Sequence, residues 1–325
     1  MRARILRYSR EAVREAGQII KRGGLVAFPT ETVYGLGASA FNPNAVARIF
    51  EVKRRPRFDP IIVHVASLRE VERVCLRIGR DARILMEEFW PGPLTLVLPK
   101  SDAVPDIVTA GLETVAVRMP SHPVALELIR EAETPIAAPS ANLFGRLSPT
   151  TADHVKEQIG DEIDLIIDGG RCPIGVESTV LDLTGEPTVL RPGGLPIEEI
   201  EKIIGRVKVS PVSRGRAPLS PGQLPRHYSP QTPTRILQGE PEIPEGTRAG
   251  LLAFTRSEAR PPFEVVKALS PTGDLREAAA NLFSLLHELD KAGLDVIYVE
   301  PVPEVGLGRA IMDRLRKAEG LGKAP

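Results

Sequence analysis

Cysteine is nearly absent from this chain: Cys75 and Cys172 are the only two in 325 residues. Two cysteines cannot build a disulfide framework, and neither sits in a Cys-x-x-Cys pair. A reducing, cytoplasmic compartment is therefore the simplest expectation. Histidine is scarce as well. His64, His122, His154, His227 and His287 stand apart, with no second His or Cys at zinc-ligand spacing, which argues against a structural zinc site. No apolar run approaches the roughly 20 residues that span a bilayer, so no membrane partner is expected. The N-terminus, MRARILRYSREAVREAG, is charged throughout and lacks an apolar signal core. Neither a GxSxG elbow nor a GxxxxGK[ST] loop is present, so any phosphate chemistry proceeds without a P-loop. Net charge is missing too: 42 Lys plus Arg balance 42 Asp plus Glu. That excludes a general nucleic-acid coat unless the charge is unevenly placed.

It is unevenly placed. Residues 1–205 hold 25 basic and 28 acidic residues, a balance of −3. Residues 206–235 hold six basic and no acidic residues, giving +6, and residues 236–325 hold 11 basic and 14 acidic residues, again −3. The middle segment also carries six prolines and loses all helical or strand periodicity, which marks a stiff linker. Its stretch SPGQLPRHYSP, with Arg226, His227 and Tyr228 adjacent, is too specific for filler. The length suits two domains, with boundaries at 1–205, 206–235 and 236–325.

In the first block, residues 9–22 place Ala12, Val13, Ala16, Ile19 and Ile20 on one helical face. Asn42 followed by Pro43 caps a second helix, and Ser67 with Glu70 fits a capping box. Helices are also expected over 123–132, 151–159 and 195–204. Strands are expected at 25–28, 61–65, 94–98, 115–119, 136–138, 165–168, 178–183 and 188–191. The many strands and fewer helices predict an α/β domain with a large mixed sheet. After the linker, strands at TRIL, 251–254, 264–269 and 296–300 alternate with helices at 274–291 and 308–319, a smaller α/β domain.

Five places combine polar groups with strand ends. FPTETVYGLGASAF (28–41) reads as strand, polar turn, glycines and helix, with a loose GxGxxA that is weak evidence for a dinucleotide site. In KRRPRFDPIIVH (53–64), the cations Lys53, Arg54, Arg55 and Arg57 read either as a solvated basic loop or as a polyphosphate cradle. A bare charge run favours the solvated loop; Pro56 and Pro60, which fix the backbone there, weaken that preference. Ser140, Asn142 and Ser148 sit in APSANLFGRLSPT (138–150), which is also an ordinary turn composition. Arg118 in VAVRMP faces opposite to Val115 and Val117, as a solvated charge or an anion clamp. GVESTV (175–180), with Glu177, Ser178 and Thr179, precedes Arg191 in LRPGG. No nucleophile–base dyad and no metal-ligand cluster accompanies them. The set suits binding and orienting anionic substrates rather than covalent catalysis.

These motifs occur in order with WPGPLTLVL (90–98), and together they resemble the YrdC-like family of L-threonylcarbamoyladenylate synthases. The linker motif PGQLPRHYSP and the C-terminal block resemble its long, two-domain form. The resemblance implies a YrdC-like domain with a large mixed twisted sheet and flanking helices, plus a smaller Rossmann-like α/β domain. It implies a reaction of L-threonine, bicarbonate and ATP, with Mg2+, to threonylcarbamoyl-adenylate and pyrophosphate. The product would pass to a downstream threonylcarbamoyl transferase for modification of tRNA position 37, with tRNA itself a candidate partner. By motif position, Lys53 and Arg55 would stabilise phosphate charge. Thr32, His64, Arg118 and Ser178 would hold threonine. Arg55, Asp59, Thr114, Ser140, Asn142, Ser148, Arg191 and Tyr228 would contact ATP, with Tyr228 folding back from the linker as a lid.

Two positions depart from the family pattern. Asp59 stands where an asparagine would contact the nucleotide, and a carboxylate there repels phosphate; a sugar or magnesium-linked role is open to it. Ala138 stands where a threonine would add a substrate contact. On an apolar strand, His64 reads as a satisfied core histidine or as a ligand. Glu31 reads as a carboxylate holding backbone N–H groups ahead of a general base. Two other classes compete: an RNA-binding module of the YrdC type, and a carbamoyltransferase domain like that of hydrogenase maturation proteins. The acylphosphatase-like and zinc-finger segments of the latter are not visible in the sequence.

Overall fold

The structure, a computed structural model, describes residues 3–210, 228–255 and 262–320. Arg226, His227 and most of the basic segment lie outside the described residues. The first domain runs β1 (Arg4–Arg7), α1 (Arg10–Lys21), β2 (Val26–Phe28), β3 (Gly35–Ser39), α2 (Pro43–Lys53), β4 (Val63–His64), α3 (Leu68–Val74) and α4 (Arg80–Phe89). It continues with β5 (Leu94–Pro99), α5 (Asp106–Thr109), β6 (Thr114–Arg118), α6 (Pro123–Ala132), β7 (Ile136–Ala137), α7 (Ala152–Ile159) and β8 (Leu165–Asp168). It closes with β9 (Thr179–Asp182), β10 (Thr188–Arg191), α8 (Ile197–Ile204) and β11 (Lys208–Val209). The eleven strands form one mixed sheet in the order β1-β8-β2-β3-β7-β4-β6-β5-β9-β10-β11. The expected large mixed sheet is observed.

Local chemistry sets the helices. Ser9 Oγ accepts the Ala12 N–H at the start of α1, and Asn42 Oδ1 accepts the Asn44 and Ala45 N–H groups before Pro43 opens α2. Ser67 accepts the Glu70 N–H. Glu70 reaches back to the Ala66 N–H, one residue earlier than a reciprocal capping box would place it.

The structure corrects the reading of 28–41. Gly35 and Gly37 are not in a phosphate loop leading to a helix; they belong to β3, which pairs antiparallel with β2. A Cβ on Gly37 would lie 2.7 Å from both Ile136 Cγ2 and Phe28 Cε1. These glycines let neighbouring strand residues approach, and the polar residues 29–34 become a hairpin loop. Only Val63–His64 of the expected strand 61–65 pairs regularly. The elements β1, β3, α4, α5 and β11 were not expected.

The second domain comprises β12 (Thr234–Ile236), β13 (Ala249–Ala253), β14 (Val265–Ala268), α9 (Leu275–Asp290), β15 (Val296–Val299) and α10 (Gly308–Glu319). Its sheet has the order β12-β15-β13-β14, and every pairing is parallel. Both ends of the basic segment carry strands: β11 extends the first sheet beside β10, and β12 starts the second. Among the described residues, no helix is long and apolar enough to cross a membrane.

The two domains share a core. Val33, Leu147 and Val176 of the first cluster with Leu282, Phe283 and Leu286 of α9 and with Tyr228. Gly175, at φ +77°, lets the backbone come so close to α9 that a Cβ would lie 2.4 Å from the Ala279 carbonyl oxygen. Arg171 donates to the Ala280 carbonyl at 2.6 Å and to Asn281 at 2.8 Å across the same seam.

Candidate functional site

The hairpin loop between β2 and β3 is organised by Thr30, whose Oγ1 accepts the N–H groups of Thr32 and Val33, each at 3.2 Å. This presents Thr32 toward the ends of β4 and β6. There His64 and Arg118 are direct neighbours in parallel register. Arg118 donates from Nη1 to Thr32 Oγ1 at 3.0 Å, and its Nη2 lies 3.0 Å from Glu31 Oε2. The same Glu31 oxygen accepts the Ser121 N–H at 3.1 Å. Glu31 is thus a structural carboxylate that aims Arg118. Arg118 is only 3% exposed, so it is not the solvated charge that a bare strand pattern allows.

The charge run at 53–57 splits by geometry. Arg54 caps α2 in the left-handed region, at φ 53° and ψ 38°. That turn leaves Arg54 and Arg57 exposed and buries Lys53 and Arg55. Arg55 donates to the carbonyls of Asp59, at 3.1 Å, and Pro60, at 2.7 Å, and its Nη2 lies 2.9 Å from Asp59 Oδ2. Lys53 donates to the carbonyls of Ser140 and Asn142. Its ammonium shapes the 140–142 loop from behind, rather than standing in the cavity wall.

One cavity gathers these groups. Thr32, Arg55, His64, Arg118, Ser140, Ser178, Arg191 and Tyr228 line it, as do Ala138 and Glu177. Ser178 Oγ lies 2.7 Å from Thr95 Oγ1. Arg191 Nη2 donates to the Ser178 carbonyl at 2.9 Å and to its hydroxyl at 3.2 Å. Among the described residues, the hydroxyls of Thr32, Ser140 and Ser178 show no bond to a histidine that would activate them as nucleophiles.

Four other expected residues stand in the layer behind. Besides Lys53, these are Asp59, Asn142 and Ser148. Asp59 is fully buried and paired with Arg55. Asn142 Nδ2 donates to the carbonyls of Leu143, at 2.7 Å, and Arg146, at 3.1 Å. Ser148 donates its hydroxyl to Glu177 Oε1. Thr114 is not brought to the cavity: it opens β6, at the opposite end from Arg118, beside Pro99.

Burial dominates the electrostatics. It pushes Lys53 well below its usual range, with Arg55 acting in the same direction. It lowers Arg118 against the opposing pull of Glu31. It raises Asp59 against Arg55 and Lys53. Burial, then Arg118, hold His64 down to about 3, so the imidazole is neutral. The backbone groups of Ile62 and Ile136 oppose that fall, and His64 lines the cavity beside Arg118. Among the described residues, no three His, Cys, Asp or Glu side chains gather as a metal site requires.

Two residues were missed. Glu177 was visible as a polar loop residue, but its place in the wall was not. Arg314 comes from the second domain, and its Nε lies 2.8 Å from Glu177 Oε2. Its signal was a charge on an otherwise apolar helix stripe, Ala310, Ile311, Leu315 and Ala318. Tyr228, within the expected linker 206–235, lines the cavity. Its ring centroid is 5.7 Å from that of Phe283 and 5.0 Å from the Arg314 guanidinium carbon.

Comparison with known proteins bears on this geometry. A family profile for Sua5, YciO and YrdC proteins, described as "Telomere recombination", matches residues 18–193. A second, described as "Threonylcarbamoyl-AMP synthase, C-terminal domain", matches residues 195–320. The chain is 48% identical to the threonylcarbamoyl-AMP synthase of Pyrococcus abyssi over 95% of its own length and 94% of that protein's. It is 45% identical to the Bacillus subtilis threonylcarbamoyl-AMP synthase, covering 95% and 93% respectively. The crystal structure of Pyrococcus abyssi Sua5 complexed with L-threonine superposes with a TM-score of 0.90 at 46% identity, covering 97% of this chain and 96% of that one.

Proposed function

The chain belongs to the two-domain threonylcarbamoyl-AMP synthase family, and from that premise we propose that it makes L-threonylcarbamoyl-adenylate from L-threonine, bicarbonate and ATP. The observation that carries this reading is the convergence of Arg55, Arg118 and Arg191 with the hydroxyls of Thr32, Ser140 and Ser178 on one cavity. Three buried guanidiniums, with no activated nucleophile among the described residues, suit a site that orients anions and stabilises charge as it develops.

Arg118 pairs the threonine carboxylate, with Thr32, His64 and Ser178 around it. The neutral threonine amine captures carbon dioxide derived from bicarbonate: the C–OH bond of bicarbonate breaks, a C–N bond forms, and the lost hydroxide leaves as water with the amine proton, giving a carbamate. A carbamate oxygen then attacks the α-phosphorus of ATP. A new O–P bond forms there, the bond between the α-phosphorus and its bridging oxygen breaks, and pyrophosphate leaves with the electron pair. Arg55 and Arg191 stabilise the phosphate oxygens, Ser140 adds a hydroxyl, and Lys53 holds the Ser140 and Asn142 carbonyls from behind. Magnesium enters as the complex of the triphosphate. The nearby carboxylates Glu31, Asp59 and Glu177 are each paired with an arginine, so Asp59 keeps Arg55 oriented. The product supplies threonylcarbamoyl transfer to tRNA.

The test is pyrophosphate release in ATP, threonine, bicarbonate and magnesium. Release that depends on both threonine and bicarbonate is expected. Release indifferent to either one sinks the synthase reading.

A further inference from the structure

The cavity proposed to take a triphosphate has a carboxylate in its wall. Glu177 is 6% exposed, and its charge has the wrong sign for that ligand. Its neutralising partner comes from the other domain. Arg314 on α10 is 1% exposed. It donates from Nε to Glu177 Oε2 at 2.8 Å and from Nη1 to the Pro192 carbonyl at 2.8 Å. The same guanidinium lies under the Tyr228 ring, and Ser148 donates to the remaining Glu177 oxygen. Behind Arg314, Asp313 accepts from its Nη1 at 2.6 Å and from Lys317 at 2.8 Å. The four charges Glu177, Arg314, Asp313 and Lys317 sum to zero, leaving the nearby Arg191 as surplus positive charge for an anion. Removing Arg314 alone leaves this four-residue cluster with one net negative charge in the cavity wall.

Resting on the synthase reading, we propose that Arg314 of the C-terminal domain is a positioning residue of the nucleotide pocket, cancelling Glu177 and supporting the Tyr228 ring. The second domain thereby completes the ATP site without touching the reacting atoms. Burial alone would raise Glu177, yet Arg314, then Arg191 and Ser148, outweigh it and hold the carboxyl below its usual range. Glu177 is therefore a charge that must be cancelled, rather than one that disappears by protonation.

The test separates charge cancellation from simple packing. Arg314→Met keeps a stem against the Tyr228 ring and removes the charge. Its affinity for α,β-methylene-ATP, measured by calorimetry without threonine, is expected to fall about tenfold or more. In turnover, the KM for ATP rises by a similar factor, while the KM for threonine holds. Adding Glu177→Gln restores most of the analogue affinity, because the double variant returns the cluster to zero net charge. If the single variant fails to fold, the double variant, which buries no unpaired charge, still binds the analogue within a few-fold of wild type. The proposal is overturned if the folded double variant binds no better than Arg314→Met. It is also overturned if the single variant raises the threonine KM as much as the ATP KM. A wild-type chain that binds the analogue but releases no pyrophosphate ends the synthase reading, while the affinity ratios still decide the role of Arg314.

Discussion

Arg118→Met tests the threonine end of the site and separates two losses that coincide in one side chain. The guanidinium donates to Thr32 and sits 3.0 Å from Glu31, both buried. Methionine keeps much of the stem volume but leaves Glu31 without its cation. Breaking a buried pair in this way costs about 3–5 kcal/mol of stability. Separately, a threonine carboxylate loses its desolvated partner, worth about 2–5 kcal/mol, or roughly 30-fold to several-thousand-fold in threonine requirement. Urea unfolding reads the first loss. Pyrophosphate release against threonine concentration, at saturating ATP, reads the second. Adding Glu31→Gln separates them, because glutamine keeps an oxygen for the Ser121 N–H and removes the stranded charge. The double variant is expected to regain most of the stability and none of the threonine affinity. An unchanged threonine requirement in either folded variant refutes the carboxylate-pairing role. Recovery of threonine affinity in the double variant shows that Glu31, not threonine, is what Arg118 serves.

Other outcomes follow from the same geometry. The folded pKa of His64, about 3, lies below its unfolded 6.5, so the unfolded chain takes up the extra proton. That contribution to stability is intact above pH 6.5 and is lost as pH falls toward 3. His64→Asn should flatten the acid limb of stability against pH in urea titrations; an unaltered slope contradicts the buried, neutral imidazole. Gly37→Ala should destabilise by about 1–3 kcal/mol through the strand contact with Ile136 and Phe28. A selective loss of ATP binding with no loss of stability would instead revive a phosphate-loop role. Tyr228→Ala should lose about 3–5 kcal/mol and raise the ATP requirement, because the ring packs against Phe283 and Arg314. Tyr228→Gly should be no worse than the alanine variant, because the backbone there has φ 60°; a much weaker glycine variant argues against that conformation.

Much of the architecture was written locally. Asn42–Pro43 and Ser67 fix helix starts by hydrogen bonds that span a few residues, and α6 and α10 have the expected bounds. Short-range signals failed where the decisive neighbour is far along the chain. Gly35 and Gly37 imitate a nucleotide loop, and only the packing of β3 against Phe28 and Ile136 shows otherwise. The cations at 53–57 look alike in sequence. The left-handed Arg54 decides which face inward, and a positive φ at arginine has no sequence signature. Strand alternation set the side on which Arg118 lies, but its burial depends on where β6 falls in the sheet. The motif resemblance drew most of the cavity lining together, including Tyr228. It also named Thr114, which the sheet carries to the far end of β6. Arg314 and Glu177 meet across 137 positions, so no local pattern could join them.

The core that Val33, Leu147 and Val176 share with α9 makes the interval between the domains part of a common folding unit. Separating the halves strips apolar surface from both, so neither opens without a cost to the other. Thermodynamic linkage then runs both ways. A ligand that settles against Tyr228 adds its binding free energy to α9 and α10 as well as to the sheet that holds it. A molecule that grips those two helices acts as an effector of the adjoining cavity only where it binds the occupied and empty forms unequally.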